Sequence, residues 1–348
     1  MKLKEDMVGA MLTELELHAP NWSEEPIETI YFGGGTPSIL SIKELQSLLE
    51  AIQSFYNVSA AAEITLEVNP DDVSDGSLYE WKSIGINRLS IGLQSFQSDQ
   101  LIWMNRAHTA EEALRCIPLA QKAGFDNLSV DLIYGLPGMS LDVWGQQLKT
   151  IENLNVQHLS CYILTVEEKT LLHQQVKNKL KSLPEDQLIS EQYHLLCKWA
   201  KSQGFDHYEV SNFAQPNRRS KHNGNYWKRE AYLGIGPSAH GFKGNQRSWN
   251  IANNPLYIKK MATNIPAFDF EILSPTNVLN EEIMVGLRKK EGINTQLLHR
   301  ENKKEQEEVK QTLKNFSEKN WLIVSDNTVS MTESGWLMSD LVSAELFS

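Results

Sequence analysis

A chain of 348 residues with 41% apolar side chains is too long for one ordinary domain and holds enough apolar material for a substantial core. Its 33 basic and 44 acidic residues leave a net charge of −11, which disfavours a broad nucleic-acid surface. No stretch reaches the roughly 18 apolar residues of a membrane helix, and the opening MKLKEDMVGAM sets acids where a signal peptide carries its apolar run, so a cytoplasmic protein without a membrane span is expected.

Lys2–Leu17 reads as an amphipathic helix with Leu3, Met7, Met11 and Leu15 along one face, and no strand precedes it. Strand patterns follow at Thr29–Phe32, Ile64–Val68, Arg88–Gly92, Leu128–Ile133, His158–Leu164 and His207–Val210. Helical patterns at Ser41–Phe55, Thr109–Lys122, Leu141–Asn153 and Glu185–Ser202 separate most of them, the first opened by a capping box at Ser41 and Glu44. The alternation predicts an α/β fold, a parallel sheet or barrel with crossover helices.

Ligands of such folds gather at the carboxyl ends of the strands. The predicted strands end in Gly33-Gly34-Gly35-Thr36-Pro37, in Glu67 and Asn69-Pro70, in Gln94-Ser95, in Asp131 ahead of Tyr134-Gly135-Leu136-Pro137, and in Thr165 and Glu167. Five ends presenting polar groups predict one shared pocket. Carboxylates such as Glu67 and Asp131 suit ribose hydroxyls or an ammonium, Arg106 suits a carboxylate, and the Gln94 amide reads donors and acceptors alike. The glycine triplet lets backbone approach a ligand closely, and equally fits a tight turn.

Leu233-Gly234-Ile235-Gly236-Pro237-Ser238-Ala239 imitates a dinucleotide fingerprint, but Pro237 interrupts it and no acid follows at the required distance. Its glycines are expected to shape a turn, with His240 structural or pocket-lining. Arg218–Arg229 gathers five Lys or Arg around His222, Tyr226 and Trp227, a mixture that fits a solvated loop or a flat anionic ligand such as a porphyrin. Beyond residue 271, helices at Thr276–Lys290 and Lys303–Lys319, a hairpin over Trp321–Met331 turning at Asp326-Asn327, and a last helix resemble a winged-helix appendage. With 13 acidic and nine basic residues, it is expected to pack on the barrel rather than on nucleic acid. Cys116, Cys161 and Cys197 share no CxxC or CxxxC spacing, so reduced, buried thiols and no metal site are expected.

In order along the chain, GGGTP, LEVNP, NRLSIGLQSF, MNRAH, DLIYGLP, YEVSNFA, KHNGNYW and YLGIGPSAHGF resemble the oxygen-independent coproporphyrinogen III oxidase-like branch of the radical S-adenosylmethionine (SAM) proteins, over nearly the whole length. Within that branch, HNGNYW is similar to the HNxxYW motif of the HemW-type haem chaperones. The resemblance implies an incomplete (β/α)6 barrel with a small C-terminal winged-helix-like domain, divided as 1–215, a 216–270 segment carrying HNxxYW, and 271–348. It implies SAM binding by Gly34, Gly35, Thr36, Glu67, Gln94, Arg106, Asp131 and Thr165, and haem contact by His222. It implies haem and haem-accepting proteins as partners, with peripheral contact to respiratory complexes.

The family also opens with a strand and a CxxxCxxC loop holding a 4Fe–4S cluster; this sequence contains neither, and its first helix therefore reads as a barrel helix without its strand. The leading expectation is a haem chaperone, not catalytically competent as written. Two alternatives stay open: a coproporphyrinogen III oxidase acting by oxidative decarboxylation, or a cluster-less, inactive homologue.

Overall fold

In the computed structural model, which describes residues 2–22 and 26–348, helix α1 (Lys2–Trp22) precedes a run of strand and helix units. These are β1 (Ile27–Phe32), α2 (Ile42–Phe55), β2 (Val58–Val68), α3 (Asp75–Ser83), β3 (Arg88–Gln94), α4 (Ser98–Trp103), α5 (Ala110–Lys122), β4 (Leu128–Tyr134), α6 (Leu141–Asn153), β5 (His158–Ile163), α7 (Leu171–Lys177) and α8 (Asp186–Ser202). The predicted capping box at Ser41 and Glu44 is present, and Thr109 with Glu112 forms another.

β1 to β5 are parallel neighbours in sequence order. The sixth strand departs from expectation. β6 (Asp206–Glu209) pairs antiparallel with β7 (Asn212–Ala214), and β7, which the sequence pattern did not predict, inserts antiparallel between it and β5. Three residues of β7 were too few to leave a periodic signal.

Residues along each strand alternate between two faces. Ile30, Ile64, Leu66, Leu89, Ile91, Val130 and Leu132 form one face and pack with Leu45, Leu49, Trp81, Ile117, Trp144 and Leu148 of the surrounding helices in the main core. The opposite, inner face is polar.

Residues 216–270 contribute a helix-and-sheet unit of their own. α9 (Lys221–Trp227) is followed by an antiparallel sheet of β8 (His240–Lys243), β9 (Gln246–Asn250) and β10 (Phe268–Ile272), with α10 (Asn254–Met261) between the last two. This sheet is fastened to α1 through Glu14, a buried carboxylate that accepts from Gly236 N at 2.7 Å, Tyr257 Oη at 2.6 Å and Asn250 Nδ2 at 2.6 Å. The glycine-rich GIGP turn thus serves packing: a Cβ on Gly234 would lie 2.0 Å from the His240 carbonyl oxygen, and Gly236 adopts φ +104°. His240 opens β8 opposite Trp249 and is exposed.

The remainder comprises α11 (Pro275–Leu287), β11 (Ile293–Asn294), α12 (Lys303–Glu318), β12 (Leu322–Val324), β13 (Thr328–Met331), α13 (Glu333–Trp336) and α14 (Ser339–Ala344), around a separate apolar core. Its link from α11 to β11 runs along β6: Val210 N donates to Arg288 O at 3.0 Å and Lys290 N to Tyr208 O at 3.1 Å. Among the described residues no helix is long and apolar enough to cross a membrane.

Candidate functional site

The inner face of the sheet carries Thr29 and Tyr31 on β1, Glu63, Thr65 and Glu67 on β2, Arg88 and Ser90 on β3, Ser129 and Asp131 on β4, and His158 and Ser160 on β5. Polar residues are normally kept out of such interiors unless hydrogen-bonded. Here several remain unsatisfied: Thr65 Oγ1, Arg88 Nε, Arg106 Nε and Glu209 Oε2 are buried without a partner.

At the carboxyl ends, the expected site residues converge on the first four strands. Gly34 N donates to Glu67 Oε2 at 3.2 Å, and Tyr31 Oη donates to Glu67 Oε1 at 2.7 Å. The glycine at 33 is required by space, because a Cβ there would lie 2.5 Å from Tyr31 Cε1 and 2.9 Å from Glu67 Cδ. Gly34 takes φ +80°, a conformation that favours glycine. Gly35 and Thr36 continue the same loop into the turn Pro37–Ile39.

Arg106 reaches back from the loop after α4, donating through Nη2 to Asn69 Oδ1 at 2.8 Å and to Gly92 O at 3.2 Å, with Nε left free. Gln94 sits at φ +65°, and its amide nitrogen lies 3.0 Å from where a Cβ on Gly92 would stand, so glycine makes room for it. Asp131 is pushed up to about 6 by burial, against a hydrogen bond from Ser160 and the charges of Arg88 and Arg106, while Glu67 adds repulsion. Thr165 is exposed and bonds to Ile163 O at 3.3 Å; no hydrogen bond joins it to the others among the described residues.

His222 lies on the same inner face, deeper along the strands. Its Nδ1 is 2.9 Å from Thr29 Oγ1, its ring stacks on Tyr31 at 4.6 Å, and Tyr226 meets it edge-on at 5.2 Å. Glu63 holds the first turn of α9 in place, accepting from Lys221 N at 3.3 Å and His222 N at 3.1 Å. Burial lowers His222 to about 4, so its imidazole is neutral across the physiological range.

Four of the five cations expected to receive acidic groups near His222, all but Lys228, are engaged elsewhere. Arg219 pairs with Asp206 and Glu291, Arg229 with Glu281 and Glu282, and Arg218 with Asp126, while Lys221 Nζ donates to Ala61 O. Thr29, Tyr31, Glu63, Thr65 and Arg88 escaped notice in the sequence. Their signal was the alternation of polar residues in strands, as in Glu63-x-Thr65-x-Glu67.

A family model of the radical SAM superfamily matches residues 12–151, and one of the HemN C-terminal domain matches residues 273–338. The heme chaperone HemW of Bacillus subtilis is 31% identical over 341 residues, spanning 97% of this chain and 90% of that protein. The chain belongs to the HemW family of radical SAM proteins. The heme chaperone HemW of Lactococcus lactis is 34% identical over 286 residues, 82% of this chain and 75% of its relative. Coproporphyrinogen III oxidase (HemN) from Escherichia coli, described as a radical SAM enzyme, superposes with a TM-score of 0.83 at 20% identity, covering 100% of this chain and 83% of that one, a likeness of fold.

Membership of the HemW family brings SAM and a 4Fe–4S cluster into consideration. The strand ends fit the first: the cradle around Gly33 and the unpartnered Arg106 Nε suit a polar ligand. The three thiols of this HemW-family chain do not fit the second. Cys116, Cys161 and Cys197 are each buried, on α5, β5 and α8, and lack the close spacing of a cluster loop. Among the described residues, no three His, Cys, Asp or Glu stand where they could hold a metal.

Proposed function

We propose that this chain is a haem-binding and haem-transferring protein, a HemW-type chaperone whose half-barrel binds SAM at the strand ends and haem at His222. The observation that carries the reading is the state of His222. Thr29 and Tyr31 fix a neutral ring by its Nδ1 and its face, and no hydrogen bond occupies Nε2 among the described residues. A neutral, oriented imidazole with a free nitrogen is what an iron ligand requires.

On the SAM side, Gly34, Gly35 and Thr36 offer backbone and hydroxyl groups, Glu67 accepts from donors, Gln94 reads both kinds of group, Arg106 receives a carboxylate and Asp131 accepts from ribose hydroxyls. Thr165 is assigned a backbone contact at the adenosine side. SAM, when bound, supplies a sulfonium with an adenosyl and a methionine arm. The chain's own residues orient those arms, and no step is routed through a cluster that its thiols do not fit.

Haem is cargo in this reading, and haem-accepting proteins, respiratory ones included, are its destination. The test is a haem titration of the wild type and of His222→Ala, followed by the Soret band, with a thermal melt of each. The expected result is a folded variant with affinity reduced at least about tenfold and an altered Soret maximum. Unchanged affinity and spectrum in a folded His222→Ala would reject His222 as the ligand.

A further inference from the structure

We propose that the half-barrel contains a second, interior binding site for a carboxylate, centred on Arg88 and Thr65. Arg88 is 1% exposed, among the largest fully buried side chains of the protein. Its Nε has no hydrogen-bond partner, and no carboxylate pairs with its guanidinium among the described residues. Thr65 is its register partner on β2, is wholly buried, and carries an equally unpartnered hydroxyl. Two orphan donors side by side on one face, one of them cationic, are complementary to a single anion.

A buried charge without a partner is costly, and proteins ordinarily pair it. The largely buried Arg229, 13% exposed at its side chain, is paired with Glu281 and Glu282. Arg88 is buried more deeply and has no such pair among the described residues. Its charge favours the carboxylate of Asp131 and disfavours protonation of His158 and His222, yet no ion pair joins Arg88 to an acid among the described residues. His158, held neutral by burial between Ser129 Oγ at 2.7 Å and Tyr208 Oη at 2.7 Å, adds no charge of its own beside Arg88.

Tyr31, Thr65 and Arg88 form one register row across β1, β2 and β3, so Arg88 stands about 10 Å from the strand whose tyrosine touches His222. The anion therefore lies between the SAM-binding strand ends and the haem histidine. A haem propionate and the methionine carboxylate of SAM share the required chemistry. The part of the inference that assigns a propionate rests on the haem reading above; the existence of the site does not.

Three arms test it on the full chain, with Arg88→Met and the near-isosteric Thr65→Val. In melts at constant ionic strength, acetate replacing chloride should raise the midpoint of the wild type and leave both variants unmoved. Without carboxylate, Arg88→Met should melt at or above the wild type, because it removes an unpaired charge. Haem should bind the wild type about tenfold more tightly than haem dimethyl ester, a preference lost in both variants, while the preference for SAM over decarboxylated SAM survives.

Loss of that SAM preference instead would assign the carboxylate to methionine and overturn the propionate assignment. No acetate response in the wild type, or Arg88→Met melting clearly below it in carboxylate-free buffer, would overturn the site. A wild type that answers acetate but binds no haem would retain the site and refute the haem reading. If Arg88→Met does not fold, the proposal stands or falls on Thr65→Val alone.

Discussion

Tyr31 connects Glu67 and His222 through a single ring: its hydroxyl donates to Glu67 Oε1 at 2.7 Å while its face stacks on the imidazole at 4.6 Å. The glutamate belongs to the proposed SAM site and the histidine to the proposed haem site, so one rigid side chain touches both. Burial and the neighbouring Glu67 raise the phenol far above its usual range, so the hydroxyl is a donor at every physiological pH.

Tyr31→Phe separates the two contacts, since it keeps the stack and deletes the donor. We expect a stability loss of about 1 kcal/mol, weaker SAM binding, and a near-native haem spectrum. Tyr31→Leu should perturb haem binding as well. Paired titrations of both ligands on the two variants check this; equal effects of Phe and Leu on haem would show that the stack is immaterial.

Gly33→Ala should fold, because the loop is exposed, yet lose SAM affinity. The new Cβ would stand 2.9 Å from Glu67 Cδ, so the carboxylate must shift from the position it shares with Tyr31 and Gly34. A drop of about tenfold or more by calorimetry is the expected outcome, corresponding to one lost charge-assisted hydrogen bond.

Asp131 predicts opposite trends for binding and stability. Its folded value of about 6 lies above the 3.8 of an unfolded aspartate, so the folded state holds the extra proton between the two and stability falls as pH rises through that window. Acceptance of ribose hydroxyls needs the carboxylate, so SAM affinity should rise from pH 5 to pH 7. Asp131→Asn should melt higher than wild type at pH 7, converge with it near pH 4, and bind SAM weakly throughout.

For His222 the sign is reversed. Its folded value of about 4 lies below the 6.5 of a free histidine, so the unfolded chain takes the proton first, and this residue's contribution to stability is lost as pH falls from 6.5 through 4. Haem affinity should stay flat from pH 8 to about pH 5. A titration that weakens near pH 6.5 would show that the imidazole is not held neutral.

Glu14 fastens α1 to the β8–β10 sheet with three hydrogen bonds in a site 1% exposed to solvent. Glu14→Ala would strand their donors, and we expect a loss of about 3 kcal/mol, read by denaturant unfolding. Binding residues on the inner face should keep their mutual geometry.

Much of the barrel was legible because its strands and helices obey two clean periods: α6 runs over Leu141–Asn153 as the sequence indicated, and Ser41 caps α2. Placement of Gly34, Glu67, Gln94 and Asp131 at strand ends was legible for the same reason, whereas Arg106 arrives from the loop after α4. What lay hidden depends on contacts between distant segments. Nothing local shows that Glu63 of β2 would hold α9, 158 residues later, or that Arg219 and Arg229 would find acids on other elements. Thr165 was placed by its strand, but the inner-face network stops short of it.

The backbone pairing of residues 288–290 along β6 has a bearing on solubility. It covers residues 208–210 at the β6 border of the seven-stranded sheet, where free N–H and C=O groups would otherwise template association with another chain. The C-terminal unit therefore caps that end of the sheet. Cutting the chain before α11 would leave that border bare, and the shortened protein should self-associate through β6 even with every ligand-facing side chain intact.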